Sequence, residues 1–274
     1  MPNWRSPMRL DLSLYLVTDP EMCAERGLED TVAAAVRGGV TLVQLRDKHA
    51  SDAELVPVAR RLKTVLAGSG VPLLINDRLE VALASGADGL HIGQDDGDVD
   101  DARAALGPDA TLGLSVQTHE QLARIEAGKL DYLGLGPVFA TPSKHDHAAP
   151  LGFEGLAALV DASPLPTVAI GGLKAEHVEA VRQTGANGLA VISAICGKPD
   201  PEAAARDFFQ RGLQHAPALT SPSGGGSAVQ SDPPLVIGDC QTTDDDQVPP
   251  TNTHRSGTSS HSHQPSSTAQ SNAV

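Results

Sequence analysis

Between residues 10 and 213, short apolar runs rich in Val, Ile and Leu alternate with Ala-rich stretches whose apolar positions recur at helical spacing. The runs are SLYLVTD (13–19), TLVQLRDK (41–48), VPLLINDR (71–78), DGLHIGQDD (88–96), TLGLSVQT (111–118), DYLGLGPVF (131–139), PTVAIGG (166–172) and NGLAVISAI (187–195). Their apolar residues are continuous rather than alternating, which predicts strands buried on both faces. Helices are predicted near 28–37, 52–67, 79–84, 99–105, 118–127, 153–161, 175–184 and 200–211. Strands that alternate with helices predict a parallel sheet covered by helices. Eight such units in about 200 residues match an α/β fold of the (β/α)8 TIM-barrel type. Ser51-Asp52 and the Thr118/Gln121 pair are expected helix caps, and Gly39, Gly86, Gly185 and Gly188 are expected where helices hand over to strands. A doubly wound open sheet would need a glycine-rich turn after the first strand, and the chain has VTDPEMC there.

Near residue 214 the composition changes. From His215 to Val274 the chain is dominated by Ser, Pro, Gly, Thr, Gln, Asn and Asp, with no Lys and a single Arg, Arg255. Such a segment cannot bury enough apolar surface to offset its ordering entropy. The expected organisation is a catalytic barrel over 1–213 and a disordered tail over 214–274. The tail histidines His254, His261 and His263 read as solvated.

The formal charge over 274 residues is −14, from 20 Lys and Arg against 34 Asp and Glu. That excludes a general nucleic-acid binder, which shows a basic surface. Aromatic residues make up 3% of the chain, too few for a base-stacking platform. Cys23, Cys196 and Cys240 are too widely spaced for a disulfide framework or a zinc cluster, so a reducing compartment is expected. No apolar run suits a signal peptide or a membrane span, and the expected location is cytoplasmic. A homo-oligomer is compatible with all of this.

The chemistry is concentrated just after the strands, where a (β/α)8 barrel builds its active site. The second strand ends Gln44-Leu45-Arg46-Asp47-Lys48, the third Asn76-Asp77-Arg78, the fourth His91-Ile92-Gly93-Gln94-Asp95-Asp96 and the fifth Ser115-Val116-Gln117. The loop after the sixth holds Thr141-Pro142-Ser143-Lys144, the seventh ends Gly171-Gly172 and the eighth Ile192-Ser193. Gln44, Arg46 and Lys48 are spaced by two, so an extended chain points them to one side. Asp77 and Asp96 come from neighbouring strand ends, a placement that suits a hard divalent ion such as Mg2+. Their alternative use is capping of the next helix. The Gly-Gly turn and Ile192-Ser193 fall where such barrels bind phosphate through backbone N–H groups. Together these suggest two anions and one metal. One anion, of diphosphate type, would meet Arg46, Lys48, Lys144 and Mg2+; a monophosphate would meet the last two strand ends. His91, His145 and His147 read as structural or loop histidines, and no nucleophile–base pair is evident.

QLRDK (44–48), INDR (75–78), HIGQDD (91–96), GLSVQT (113–118), DYLGLGPVFATPSK (131–144), AIGGL (169–173) and AVISAI (190–195) together resemble the thiamine-phosphate synthase (thiamine-phosphate pyrophosphorylase) family over roughly residues 12–212. The resemblance implies a transferase of thiamine biosynthesis. It would join 4-amino-2-methyl-5-(diphosphooxymethyl)pyrimidine to a thiazole phosphate, in plain or carboxylated form, and release diphosphate. It places the pyrimidine diphosphate against Gln44, Leu45, Arg46, Asp47, Lys48, Asn76, Ser115 and Lys144. The thiazole phosphate would lie against Thr141, Pro142, Ser143, Gly171, Ile192 and Ser193, and Mg2+ on Asp77 and Asp96. Arg46, Lys48 and Lys144 are then the catalytic cations. Ser143 stands where many members have Thr, which keeps the hydroxyl, and the polar tail lies outside the family pattern.

Two other readings compete. A thiazole tautomerase on the same barrel would be expected to carry a histidine after the fifth strand, where this chain has Gln117. A non-catalytic phosphate binder would not need a metal site beside its cations.

Overall fold

The computed structural model describes residues 10–140 and 149–215. All of the expected tail except Gln214 and His215 lies outside the described residues. Eight parallel strands close into one barrel in sequence order, β1 to β8, with β8 pairing back onto β1. They are β1 (Leu14–Val17), β2 (Leu42–Leu45), β3 (Leu73–Asn76), β4 (Gly89–Ile92), β5 (Thr111–Val116), β6 (Tyr132–Leu135), β7 (Thr167–Ile170) and β8 (Gly188–Val191). The helices are α1 (Pro20–Cys23), α2 (Leu28–Arg37), α3 (Asp52–Leu66), α4 (Leu79–Ser85), α5 (Val99–Leu106), α6 (His119–Leu122), α7 (Gly152–Ala162), α8 (Val178–Gln183) and α9 (Pro201–Gln210). Among the described residues no helix is long and apolar enough to cross a membrane.

Two apolar layers hold the fold. The outer layer packs the outward residues of the strands, such as Leu16, Val43, Ile75 and Leu133, against Val32, Leu62, Leu156 and Phe208 of the helices. The inner layer fills the barrel with Leu12, Tyr15, Leu42, Leu74, Tyr132, Val168 and Ala190. Continuous apolar strands are thereby explained, since each strand has a core on both faces. Cys23 and Cys196 are buried free thiols in the outer layer.

The closed end of the barrel follows a repeat of two strands. Thr41, Asp88, Asp131 and Asn187 each stand immediately before an even strand. Their backbone N–H groups donate to the carbonyls of Leu14, Leu73, Leu112 and Thr167 at 2.8–2.9 Å. Those same four residues donate their own N–H groups back, to Thr41 Oγ1 (3.1 Å), Asp88 Oδ2 (2.8 Å), Asp131 Oδ2 (2.7 Å) and Asn187 Oδ1 (2.8 Å). These bonds give the N–H groups at the closed end of the odd strands their acceptors, and an unpaired buried N–H is costly. Each carboxylate of the set also holds a cation, Lys63 on Asp88 and Arg103 on Asp131.

Several local expectations change in three dimensions. The expected helix at 118–127 contracts to α6 and a 3-10 turn, Ala127–Lys129. Its Thr118/Gln121 capping box forms, but α6 buries only Leu122, so little packing energy extends it. The stretch 175–184 is split between a 3-10 turn, Ala175–His177, and α8. The short α1, capped by Asp19, was not expected. Gly188 is not a helix cap: it opens β8, where a Cβ would lie 1.9 Å from the Leu12 carbonyl oxygen.

Candidate active site

A cavity of about 450 Å³ opens at the C-terminal end of the barrel. Gln44, Arg46, Lys48, Asn76, Asp77, Asp96, Ser115, Gly171, Ile192 and Ser193 all line it. Six strand ends thus bring together most of the described residues expected at the site. Two described residues of that set do not join them. Leu45 is buried in the outer layer, facing the helices. The Asp47 carboxylate accepts from the N–H groups of His49 (2.8 Å) and Ala50 (3.1 Å) in its own loop. Thr141, Pro142, Ser143 and Lys144, with His145 and His147, lie outside the described residues.

The β2 loop is braced from the next strand. Arg78 donates to the Ala50 carbonyl at 2.5 Å, to Asp52 Oδ1 at 2.9 Å and to the Asp47 carbonyl at 3.3 Å. Beneath it, the Arg46 N–H donates to Thr18 Oγ1 at 3.1 Å. Asp47 and Arg78 therefore shape the loop from which Arg46 and Lys48 face the cavity.

Asp77 follows β3 with φ +63°, a left-handed conformation that Asp tolerates better than most residues. Its N–H donates to the His91 carbonyl at 2.8 Å, which fixes the turn against β4. The turn brings its carboxyl into hydrogen-bonding contact with that of Asp96. Burial, and then Asp96, push the Asp77 carboxyl up to about 6, while Asn76 and Lys48 pull it down. Asp96 Oδ2 also accepts from the Gly93 N–H at 2.8 Å. Two like charges held this closely favour either a shared proton or a cation between them. Among the described residues no group of three or more His, Cys, Asp and Glu gathers here or elsewhere. A pair suits Mg2+, which takes one or two protein carboxylates and completes its shell with water and phosphate oxygens.

Across the cavity, Gly171 and Gly172 have φ of +104° and +66°. A Cβ on Gly171 would lie 2.6 Å from Pro137 Cα, and one on Gly172 would lie 2.8 Å from Phe139 Cβ. The turn is pressed onto the chain leaving β6, a position that only glycine fills without strain. Among the described residues no oxygen accepts from the N–H of Gly172 or Ser193. Both residues line the cavity, and backbone donors at such turns suit an anion.

The floor is a hydrogen-bonded row of side chains that crosses the barrel. Gln44 Nε2 donates to Tyr15 Oη at 2.5 Å, and Tyr15 Oη lies 3.0 Å from Tyr132 Oη. His91 Nδ1 lies 2.7 Å from Tyr132 Oη, and His91 Nε2 lies 2.9 Å from Ser115 Oγ. Burial raises both phenols far above the ordinary tyrosine range, so both stay protonated. Sequence reading did not single out either tyrosine. A usable signal was the glycine beside them: a Cβ on Gly113 would lie 2.2 Å from the Tyr132 ring.

A parallel eight-stranded barrel with an acidic pair, two cations and two open backbone turns on its C-terminal rim defines an anion-handling (β/α)8 enzyme. Comparison with known proteins narrows the class. The sequence model of the thiamine monophosphate synthase family matches residues 14–195. A thiamine-phosphate synthase of Azorhizobium caulinodans is 56% identical over 200 residues, covering 73% of this chain and 94% of that one. One of a Psychrobacter species is 56% identical over 197 residues, covering 71% and 92%. Among solved structures, a thiamine phosphate pyrophosphorylase from Pyrococcus furiosus is similar at a TM-score of 0.66 and 33% identity, covering 73% of this chain and 95% of its own. A 3-hexulose-6-phosphate synthase, at 19% identity and a TM-score of 0.54, shares the fold alone. The chain belongs to the thiamine monophosphate synthase family.

Proposed function

We propose that this chain joins 4-amino-2-methyl-5-(diphosphooxymethyl)pyrimidine to a thiazole phosphate and releases diphosphate. The observation that carries the reading is the division of the cavity. Arg46, Lys48 and the Asp77–Asp96 pair stand on one side, and the open N–H groups of Gly172 and Ser193 on the other. A diphosphate and a monophosphate can be held at once, with the reacting carbon and nitrogen between them.

In this reading the C–O bond to the diphosphate breaks, its electron pair leaves with the diphosphate, and the thiazole nitrogen supplies the pair for the new C–N bond. No proton moves in that exchange, so the bond-forming step needs no general base. Arg46 and Lys48 face the charge that grows on the departing oxygen, where preorganised cations act most strongly. The strand 7 and strand 8 turns hold the thiazole phosphate so that its ring nitrogen faces the reacting carbon. Asp77 and Asp96 would hold Mg2+, which when bound supplies further neutralisation of the leaving group. The family resemblance adds Lys144 to the leaving-group side and Thr141 to Ser143 to the thiazole side. Buried free thiols at Cys23 and Cys196 support a reducing, cytoplasmic setting.

The test is to mix the purified protein with both substrates, with and without Mg2+, and to follow thiamine phosphate and diphosphate together. Equal, metal-dependent formation of both is expected. No product from correctly folded protein would overturn the proposal.

A further inference from the structure

The row across the barrel floor runs from one cavity-lining residue, Gln44, to another, Ser115, through Tyr15, Tyr132 and His91. Gln44 is 3% exposed, Tyr15 2%, Tyr132 0% and His91 9%, so bulk water does not compete for these bonds. In such a row the direction of each bond is set by its neighbours, and one fixed end determines the whole.

The fixed end is the amide nitrogen of Gln44, which donates and cannot accept. Tyr15 accepts from Gln44, and its own buried proton, which would otherwise face no acceptor of the row, turns to Tyr132 Oη. Tyr132 in turn gives its proton to His91 Nδ1. A ring nitrogen that accepts carries no proton, so neutral His91 holds its hydrogen on Nε2 and donates it to Ser115 Oγ. Ser115 has then spent an acceptor site and keeps its hydroxyl proton. At the cavity the two ends present opposite signs: Gln44 Oε1 as an acceptor and the Ser115 hydroxyl as a donor.

We infer that Tyr15, Tyr132 and His91 are positioning residues that set this polarity, and that the floor thereby selects a ring offering a donor to Gln44 and an acceptor to Ser115. A 4-aminopyrimidine has that order, with its exocyclic amine on one side of the ring and N1 on the opposite side. A 4-oxo ring puts an acceptor in place of the amine and leaves acceptor facing acceptor at Gln44. Rejection of such an isostere is strong because buried polar groups are left unpaired. The assignment of the ring rests on the proposed function, whereas the direction of the row does not.

Two measurements separate these. The first is 15N NMR of the imidazoles in the ligand-free protein, with His91 assigned by its loss in His91→Gln. A proton on Nε2 is expected; a proton on Nδ1, or a doubly protonated ring, overturns the direction whatever the enzyme's substrate. The second is kinetic. Tyr132→Phe keeps the ring and breaks the row at its middle. Loss of one such hydrogen bond corresponds to about a tenfold rise in KM for the pyrimidine diphosphate. KM for the thiazole phosphate should stay within about twofold, the level expected where no contact is lost. Preference for the 4-amino over the 4-oxo pyrimidine diphosphate, as substrate or inhibitor, should fall by a similar factor. Tyr15→Phe, which interrupts the row one step nearer Gln44, should do the same if Tyr132→Phe does not fold. Unchanged discrimination in a folded variant overturns the selecting role. A merely structural tyrosine would lower both activities together and leave their ratio intact. Absence of turnover in the unaltered protein would count against the proposed reaction and leave the imidazole measurement to decide the row.

Discussion

The two ends of the barrel use the same residue type to opposite purpose. At the closed end Asp88 and Asp131 each take a backbone N–H and a cation: Leu73 N and Lys63 for one, Leu112 N and Arg103 for the other. At the open end Asp77 and Asp96 contact each other, and the nearest cationic influence on Asp77 is the weakest of its causes, Lys48. A carboxylate whose lone pairs are filled by fixed donors contributes to stability. One held against another carboxylate stores unfavourable charge and is available to a ligand. The difference teaches that the composition of a strand-flanking position says little until its partners are known.

The largest expected effect comes from breaking the open pair. Asp96→Ala should lower kcat by roughly 10²-fold or more, by analogy with loss of one preorganised charge-stabilising group. Tm should change little, which steady-state kinetics beside thermal unfolding would show. Mg2+ titration of the same variant should lose its saturation. Full activity would remove the pair from the site.

Breaking the closed end should act in the other direction. Asp131→Ala strands the Leu112 N–H and takes the counter-charge from Arg103, whose bonds to the Lys129, Gly107 and Ala110 carbonyls remain. Both side chains are about a fifth to a quarter exposed. After discounting for that exposure the loss should be about 2–3 kcal/mol of stability. Urea unfolding measures it, and kcat per folded molecule should be unchanged.

Asp77→Asn sharpens the contrast, since Asn also accepts a positive φ. A carboxyl raised to about 6 binds its proton more tightly in the folded state than in the unfolded one. Stability of the metal-free protein therefore falls as pH rises from the unfolded value, near 4, through about 6. The neutral side chain should remove that slope and leave the metal-free protein about 1–2 kcal/mol more stable at pH 7. A slope that persists would place the charge elsewhere. Mg2+ affinity of the unaltered protein should weaken as pH falls through about 6, because both carboxylates must be ionised to bind it.

The smallest effect is expected where partners are solvated. Arg37→Ala removes an ion pair with Glu202 whose side chains are 59% and 30% exposed. Neither Tm nor turnover should change measurably, as is usual for surface pairs.

Much of this was legible without coordinates. Spacing by two predicted that Gln44, Arg46 and Lys48 share a side, and all three line the cavity. The same rule points Leu45 and Asp47 the other way; it was the resemblance, carried over the whole run QLRDK, that set them against the substrate, and their side chains turn to the helices and to their own loop. The closed-end clamps went unseen because Thr41, Asp88, Asp131 and Asn187 differ in type and share only a position before alternate strands. Helix 118–127 was overextended because its apolar periodicity carries no measure of how much surface awaits it.

The order of apolar runs and helical stretches, with polar residues at the strand ends, determined the eight-unit barrel and the side on which its chemistry collects. That follows from local periodicity and from the right-handed strand–helix–strand crossover, which leave few other arrangements. Only the tertiary structure decided which residues of each strand face inward. A strand with a core on both faces has no alternation to read, so Tyr15 and Tyr132 look like their neighbours along the chain. Closure of the sheet brings β1 and β6 across from each other, 117 residues apart, and joins their hydroxyls in one row.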